Sequence, residues 1–392
     1  MHYVKYMPFH SMRGASRNRR EICAALEYGY TVSVFSMDTS REGTLLPEHV
    51  EIAHDGEIYF DYSTPKWKRI FLLLRNYIVL IIRTAKLNAD VLSCHDLSAL
   101  HMAYLATWWK RKRPKLIYDS HEFELGRIGS RTKLQNVYVK HLERFLIRRC
   151  AFSIMVNDSI ADEVQKIHKL KQRPIVVRST PEKWTVDPEE TKKKRRELLD
   201  RFTDSRVEHI MMFHGNLGNG NGLEMTVPTL QKFKDIGIVL MGAQGSKELV
   251  RKIQKKSKEA GVEGRLLIIP PVDITELWKY SGAADVEMMV IEPVSKSYYY
   301  SLPNKLFESI QSETPVIASD LPEMKRIVEG YRIGLLCSPG DIRAFCDCVD
   351  RMLTDRELYS ACKQNILKAK EDLCWEKEKQ VLKDAFHIYI GL

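Results

Sequence analysis

The chain has 392 residues, 44% of them hydrophobic and 29% charged, and a formal net charge of +10. This length is natural for two hydrophobic cores, and this composition excludes a largely disordered chain. The positive excess lies in residues 1–180, which hold 29 Lys and Arg against 18 Asp and Glu. Because no nucleic-acid motif accompanies the charge, we expect no nucleic-acid partner.

Cations and aromatic residues stand together in the clusters Lys66–Arg69 and Trp108–Arg113. Such clusters suit an anionic membrane surface, although the solvated faces of ordinary helices show the same pattern. No signal peptide opens the chain, and the apolar run Phe71–Ile82 is too short to span a bilayer. The eight cysteines show no zinc-binding or Cys-x-x-Cys spacing. We therefore expect a cytoplasmic protein, and we leave peripheral contact with the membrane open.

Short runs rich in Val, Ile and Leu alternate with longer amphipathic stretches, which is typical of parallel βαβ units. Helical patterns include Arg19–Tyr28, Leu134–Arg148 and, at the end of the chain, Cys374–Tyr389. The alternation predicts an α/β fold of two Rossmann-like doubly wound domains. A weak strand is expected near the start, and the further predicted strands are Thr31–Phe35, Asp90–Cys94, Leu116–Asp119, Phe152–Val156, Ile175–Val177, His209–Phe213, Ile236–Met241, Leu266–Ile269, Ala284–Val290, Pro315–Ala318 and Ile333–Leu336.

A natural domain boundary follows Pro181, where prolines and the basic run Lys192–Arg196 interrupt the alternation. We predict a first Rossmann-like domain at 1–182, a basic linker or helix at 183–206 and a second domain at 207–372. The last segment, 373–392, is expected to form a helix that packs back on the first domain.

The most informative stretch is Ser301–Asp320, with the sequence SLPNKLFESIQSETPVIASD. A helix should begin after Pro303, with Asn304 as its cap. Backbone N–H groups at a helix start bind phosphate, and Lys305 adds a positive charge there. Glu308, one turn later, can accept two hydrogen bonds from the vicinal diol of a ribose.

This stretch resembles the donor-binding signature of the family 4 retaining glycosyltransferases of the two-Rossmann (GT-B) type, in their Pro-Asn-Lys-x-Phe-Glu branch. The similarity continues through Leu321–Glu323 to Pro339–Asp341, and Met241–Gly245 and Ile117–Glu122 resemble other parts of that family. The resemblance implies two domains that face each other across a cleft. It also implies retaining, metal-independent transfer of a sugar from a nucleotide diphosphate, most commonly UDP, to a cell-surface glycan or a lipid-linked saccharide.

The resemblance also implies roles for individual residues, and it implies no cofactor other than the nucleotide-sugar substrate. The second domain is expected to bind the donor and the first to bind the acceptor. The residues are His121, Lys305 and Glu308 as catalytic; Gly14, Gly215, Asn216, Gly242, Tyr300, Ser301, Leu302, Asn304 and Glu308 as donor-binding; and His95, Asp96 and Glu122 on the acceptor side, where Glu122 either orients His121 or binds the acceptor.

Three positions depart from the family pattern. Tyr300 stands where an acidic residue occurs in many members, Asn221 replaces a basic residue that faces the diphosphate, and Glu313 replaces a Gly. Lys305, and Arg13 or Arg17, are candidates to supply the missing charge. A non-catalytic relative that serves as a scaffold is the main alternative to an active transferase, and an epimerase on the same fold is a weaker one. The sequence has no Asp-x-Asp pair, so we expect no metal.

Overall fold

The computed structural model describes residues 1–12, 15–37, 45–52, 66–127 and 131–391. The chain divides into two compact units. The first comprises Met1–Arg178 with Glu378–Leu392, and the second comprises Ser179–Lys377. Each unit is a parallel sheet with helices packed on it, so the predicted α/β fold with two Rossmann-like domains is confirmed.

The first unit contains a seven-stranded sheet in the order β3-β2-β1-β4-β5-β6-β7, and all of its strands are parallel. The chain order reverses between β1 and β4, so the carboxyl ends of these two strands form the switch point at which such sheets place ligands. The strands are β1 (His2–Tyr6), β2 (Thr31–Phe35), β3 (Glu51–Ile52), β4 (Val91–His95), β5 (Lys115–Ser120), β6 (Phe152–Met155) and β7 (Ile175–Val176).

Right-handed crossovers place four helices of the first unit on one side of its sheet and α1 on the other. The Tyr28 hydroxyl, just after α1, donates to the backbone oxygen of Lys379, so the last helix of the chain packs on the α1 side. The helices are α1 (Ser16–Glu27), α2 (Lys66–Lys86), α3 (Asp96–Thr107), α4 (Lys133–Ile147) and α5 (Asp158–His168).

The second unit contains a six-stranded parallel sheet in the order β10-β9-β8-β11-β12-β13. Every residue of β9 is buried, as expected for a parallel strand with both faces covered. The switch point of this sheet lies between β8 and β11. The strands are β8 (His209–His214), β9 (Ile236–Met241), β10 (Leu266–Ile269), β11 (Val286–Met289), β12 (Val316–Ser319) and β13 (Gly334–Cys337).

Residues 183–206, which the sequence presents as a basic linker or helix, carry a helix that belongs to the second unit and packs on α9. Its Arg195 is paired with Asp285 at 2.9 Å, so the basic run is not wholly a solvated face. The helices are α6 (Pro188–Leu199), α7 (Thr226–Lys232), α8 (Lys247–Glu259), α9 (Leu277–Ala283), α10 (Lys296–Tyr299), α11 (Asn304–Gln311), α12 (Pro322–Tyr331), α13 (Ile342–Thr354), α14 (Arg356–Asp372) and α15 (Trp375–Ala385). From Glu378 onward the residues of α15 belong to the first unit, and the helix continues as a π-helix at Phe386–Ile390.

Candidate functional sites

A buried histidine lies at the switch point of the second sheet. His214 ends β8, and its imidazole bridges two carboxylates from other elements. Nδ1 lies 3.1 Å from Glu287 Oε1 in β11, and Nε2 lies 2.9 Å from Glu308 Oε2 in α11. Burial opposes the charged ring, but the two carboxylates outweigh it and raise the pKa of His214 to about 10. The ring is therefore an imidazolium at neutral pH.

This contact fixes one oxygen of Glu308 and leaves the other open. Glu308 Oε1 accepts no hydrogen bond from any residue in the described part of the chain, and the side chain is 18% exposed. A carboxylate held on one side and open on the other suits hydrogen bonding to a diol. This is the role that the resemblance implies for Glu308.

The start of α11 differs from the prediction in one detail. Pro303 is the N-cap and Asn304 is the first helical residue, so the prediction that Asn304 caps the helix is wrong. Proline fixes the extended backbone of the cap position, and no side chain caps the helix. Leu306 N donates to Pro303 O at 3.0 Å, so the N–H groups of Asn304 and Lys305 are those that keep the capacity to bind an anion.

Lys305 lies beside this helix start. Its Nζ is 3.8 Å from the centroid of the Phe213 ring and 3.3 Å from Asn221 Oδ1. Burial lowers the pKa of Lys305 to about 8, although Glu287 and Glu308 favour its charged form. The site thus holds a cation that loses its proton at mildly alkaline pH.

Asn221, which replaces a basic residue of the family pattern, organises the neighbouring loop. Its Nδ2 donates to Asn216 O at 3.1 Å and to Gly218 O at 3.4 Å, while its Oδ1 accepts from Lys305. The amide therefore holds the loop after β8 and positions Lys305. Arg17, the other described candidate to supply the missing charge, is instead paired with Glu21 and Asp119 inside the first unit.

Two glycines allow the loops after β8 and β9 to touch. A Cβ on Gly242, which has φ +152°, would lie 1.6 Å from Gly215 O. At Gly215, with φ +120°, a Cβ would meet Lys305 Nζ at 3.9 Å. The Asn216 side chain fills the space beside Gly245, where a Cβ would meet its Oδ1 at 1.8 Å. These residues shape the loop wall around Lys305.

The segment before α11 brings aromatic and hydroxyl groups to the same end of the sheet. Tyr300 directly follows α10, with its ring 5.2 Å from that of Tyr299. Ser301 has a buried Oγ that has no hydrogen-bond partner among the described residues. The Leu302 side chain packs against the apolar core of this unit. Ser301 is thus the polar group of this segment best placed to gain a ligand contact.

Glu313, which replaces a Gly, adopts the backbone conformation that glycine favours. Its φ is +62°, in the left-handed region. Lys370 Nζ lies 2.7 Å from its carboxylate, and Lys363 donates to its backbone oxygen at 2.6 Å. Two lysines of α14 therefore hold this turn, and the substitution does not abolish the left-handed turn.

The first unit contains a buried network of charges below the end of β5. Asp119 accepts hydrogen bonds from Lys5 Nζ at 2.6 Å and from Arg17 Nη2 at 2.9 Å. Both cations also bind Glu21. Burial alone would raise the pKa of Asp119, but Lys5 and Arg17 hold it well below its ordinary value. Lys5, Arg17 and Asp119 are therefore charged in the folded protein.

This network supports a row of histidines at the carboxyl end of the sheet. His121 follows β5, and its Nε2 lies 3.1 Å from Asp119 Oδ2. Its ring lies 3.9 Å from that of His95, the last residue of β4, and the ring of His10 lies 4.3 Å from His95 on the other side. Burial and then His121 lower the pKa of His95 to about 2, so this ring is neutral.

Asp96 closes the row from the start of α3. Its φ is +70°, a strained conformation that is most often found at functional sites. Burial opposes its charge, but a hydrogen bond from His10 and the charge of Arg127 lower its pKa. The predicted residues His95, Asp96 and His121 are therefore adjacent in space.

Glu122 has a different partner from one of those expected. The proposal that it orients His121 is wrong, because Asp119 binds that ring. The Glu122 carboxylate instead lies 3.3 Å from Arg127 Nε and is 57% exposed. Gly14, expected to approach the donor phosphates, lies outside the described residues.

Comparison with known proteins relates both units to glycosyltransferases. A model of Glycosyltransferase Family 4 matches residues 13–180, and a model of Glycosyl transferases group 1 matches residues 208–355. The chain is a glycosyltransferase. Both matches lie within the parts of this glycosyltransferase that carry the two clusters, one in each unit.

Individual relatives of this glycosyltransferase are distant. A D-inositol 3-phosphate glycosyltransferase of Xylanimonas cellulosilytica is 25% identical over 193 residues. The match covers 49% of this chain and 44% of that relative, so it spans less than half of the relative's length. A sucrose-phosphate synthase of Thermosynechococcus elongatus is similar in structure with a TM-score of 0.74, 16% identity and coverage of 100% and 98%. HepE of Anabaena in complex with UDP has a TM-score of 0.75, 14% identity and coverage of 99% and 100%. These structures share the GT-B fold of this chain.

Among the described residues, two groups of side chains have the types and spacing of metal ligands. They are His10 with His95 and Asp96, and His95 with Asp119 and His121; in each group the ligand atoms lie within 4.8 Å of one another. Asp119 is already bound by two cations, and Asp96 lies 2.9 Å from Arg127 Nη2. Because these carboxylates are neutralised by the protein itself, we retain the prediction of a metal-independent enzyme.

Sequence inspection missed several members of both clusters, chiefly His214, Glu287, Lys5 and Asp119. A signal was present for each, because a charged residue within or at the end of a short apolar strand must have a buried partner. Lys5 lies within β1, and Glu287 lies within β11. The signal identifies an unusual residue but does not name its partner.

Proposed function

We propose that this glycosyltransferase transfers a sugar from a nucleotide diphosphate donor to a glycan or a lipid-linked saccharide acceptor, with retention and without a metal. The observation that carries the proposal is the Glu308 carboxylate, which is anchored by the His214 imidazolium at the start of α11. The donor is a UDP-sugar in this proposal. Structures of Anabaena HepE with UDP and with UDP-glucose support this choice of nucleotide.

In this mechanism the second unit binds the leaving group. Glu308 accepts hydrogen bonds from the ribose hydroxyls, and the N–H groups at the start of α11 bind the diphosphate together with Lys305. The bond between the anomeric carbon and the diphosphate oxygen breaks, and the negative charge on that oxygen grows. Lys305 stabilises this charge in a partly buried environment, where its effect exceeds that in water.

The first unit provides the acceptor side in this proposal. The acceptor hydroxyl attacks the anomeric carbon on the face that the diphosphate leaves, and its proton passes to the departing diphosphate oxygen. His121, held by Asp119, contacts the transferred sugar, and His95 with Asp96 positions the acceptor. No enzyme nucleophile takes part in this scheme.

The contacts of Asn221 argue against the alternative of a non-catalytic scaffold. The missing basic side chain is replaced by an amide that directs Lys305 to the same loop.

All eight cysteines are free thiols, as expected for a reducing cytoplasm, which is the compartment that we propose. Release of UDP from a panel of UDP-sugars tests catalysis directly, and UDP binding without turnover of any nucleotide sugar would favour the scaffold.

The Glu308→Ala variant should bind UDP about 10- to 100-fold more weakly, because the loss of hydrogen bonds to a charged group costs roughly 1.5–3 kcal/mol. Isothermal titration calorimetry measures this change. Glu329→Ala is the matched control, since Glu329 is exposed in α12 and should leave affinity unchanged. Equal UDP affinity in the wild-type protein and Glu308→Ala would remove Glu308 from the donor site.

A further inference from the structure

Helix α2 of the first unit exposes a stripe of large apolar side chains. Phe71, Leu74, Ile78 and Ile82 are between 50% and 66% exposed. Their spacing of three and four residues places them on one face of the helix. Single exposed apolar residues are ordinary on a protein surface, but a continuous stripe of this length indicates a partner.

Helix α4 carries a second apolar stripe on the same side of the sheet. Leu134 is 81% exposed, and Val137, Tyr138 and Phe145 are exposed as well. The two helices flank α3, and burial followed by the proximity of Tyr138 raises the pKa of Tyr77 in α2 to about 12. The stripes of α2 and α4 therefore lie on neighbouring parts of one surface, which we call the α2–α4 face.

The exposed charges of the described residues of α2 and α4 have one sign. Helix α2 contains no Asp or Glu, and its Lys68, Arg75, Arg83 and Lys86 are exposed. Helix α4 exposes Lys133 and Lys140, whereas its one carboxylate, Glu143, is buried and bound by Tyr118 and His168. Apolar residues flanked only by cations complement an anionic lipid surface, where acyl chains take the apolar groups and headgroups take the cations.

Aromatic residues mark the border of the α2–α4 face. Trp108 and Trp109 follow α3, are both exposed and precede the cations Lys110–Arg113. Tryptophan favours the boundary between acyl chains and headgroups. No helix in the described part of the chain is long and apolar enough to cross a membrane.

We propose that the α2–α4 face binds the interface of an anionic lipid bilayer, with Phe71, Leu74 and Ile78 inserted among the lipids. A second copy of the chain is a poorer occupant, because pairing this face with itself would bring like charges together. This inference goes beyond sugar transfer and does not depend on it.

Vesicle sedimentation of the full chain tests the proposal, with phosphatidylcholine vesicles that contain or lack phosphatidylglycerol. The wild-type protein should sediment with the anionic vesicles and far less with the neutral ones. The variant Phe71→Ser/Leu74→Ser/Ile78→Ser should lower the partition coefficient by at least about 100-fold, because three large apolar side chains lose their burial. The variant Arg75→Ser/Lys140→Ser should lose most of the preference for anionic lipid.

The control is Ile274→Ser/Leu367→Ser/Ile388→Ser, which changes three apolar residues that are also exposed but belong to neither α2 nor α4. It should bind vesicles like the wild-type protein. The unfolding temperature of each variant is compared with that of the wild-type protein, and an equal value shows that the fold is retained. The proposal is overturned if the wild-type protein ignores anionic vesicles, if it binds neutral vesicles equally well, or if the α2 variant binds unchanged. A dimer in analytical ultracentrifugation that the α2 substitutions dissociate would likewise overturn it in favour of self-association.

Discussion

The Lys5→Met variant should lose about 3–5 kcal/mol in the free energy of unfolding, because removal of one member of a buried ion cluster leaves charges without a partner. Lys5 is fully buried and binds both Asp119 and Glu21. Methionine matches the length of the side chain but supplies no charge, so Arg17 alone would have to neutralise two buried carboxylates. Urea unfolding followed by circular dichroism measures the loss.

The pH dependence of this loss has a defined sign. The pKa of Asp119 is held well below its ordinary value in the folded protein. Its contribution to stability is therefore present above the unfolded pKa, near about 4, and is lost as the pH falls below that value. The stability gap between the wild-type protein and Lys5→Met should accordingly narrow at acid pH.

Lys112→Met is the control for this experiment. Lys112 also has an ion pair, with Asp90 at 2.8 Å, but its side chain is 89% exposed. Exposed pairs contribute about 0–1 kcal/mol, so this variant should unfold almost like the wild-type protein. Equal losses in the two variants would show that the buried network does not support the first unit.

The Lys305→Met variant should lose about 10²- to 10³-fold in kcat, on the proposal that Lys305 stabilises the leaving diphosphate. The comparison variant is Lys325→Met, since Lys325 lies on α12 and is paired at the surface with Asp320. Steady-state release of UDP from the matched donor measures both. If Lys305→Met keeps wild-type turnover, the leaving group is stabilised elsewhere.

The pH profile provides a second test of the same lysine. Burial lowers the pKa of Lys305 to about 8, so kcat/KM of the wild-type enzyme should fall as the pH rises through about 8. Arginine keeps its proton at this pH, so the Lys305→Arg variant should not show the fall in kcat/KM near pH 8. Its kcat/KM should instead fall near pH 10, where His214 loses its proton. An identical alkaline limb near pH 8 in Lys305→Arg would assign it to another group.

Local sequence pattern predicts much of this fold. The predicted bounds of Thr31–Phe35, Ile236–Met241 and Leu266–Ile269 match β2, β9 and β10 residue for residue. These strands are short apolar runs between polar turns. Every residue of β9 is buried, whereas β10, at the edge of its sheet, is mostly half-buried. The helix after Pro303 was likewise predictable, because proline marks a helix start through its own backbone geometry. That Asn304 does not cap this helix could not be predicted from the sequence, because the N-cap is whichever residue holds the extended conformation just before the helix.

The sequence by itself determined the alternation of strands and helices, the family resemblance, the positions of His95 and His121 at strand ends, and those of Lys305 and Glu308 in one helix. These features depend on residues within one or two turns of each other. Only the tertiary structure decided which charges meet: His214 finds Glu287 and Glu308 at separations of 73 and 94 residues, and Lys5 finds Asp119 at 114. Such pairs form because the strand order places β1, β4 and β5, or β8 and β11, side by side, and that order is set by the packing of whole sheets.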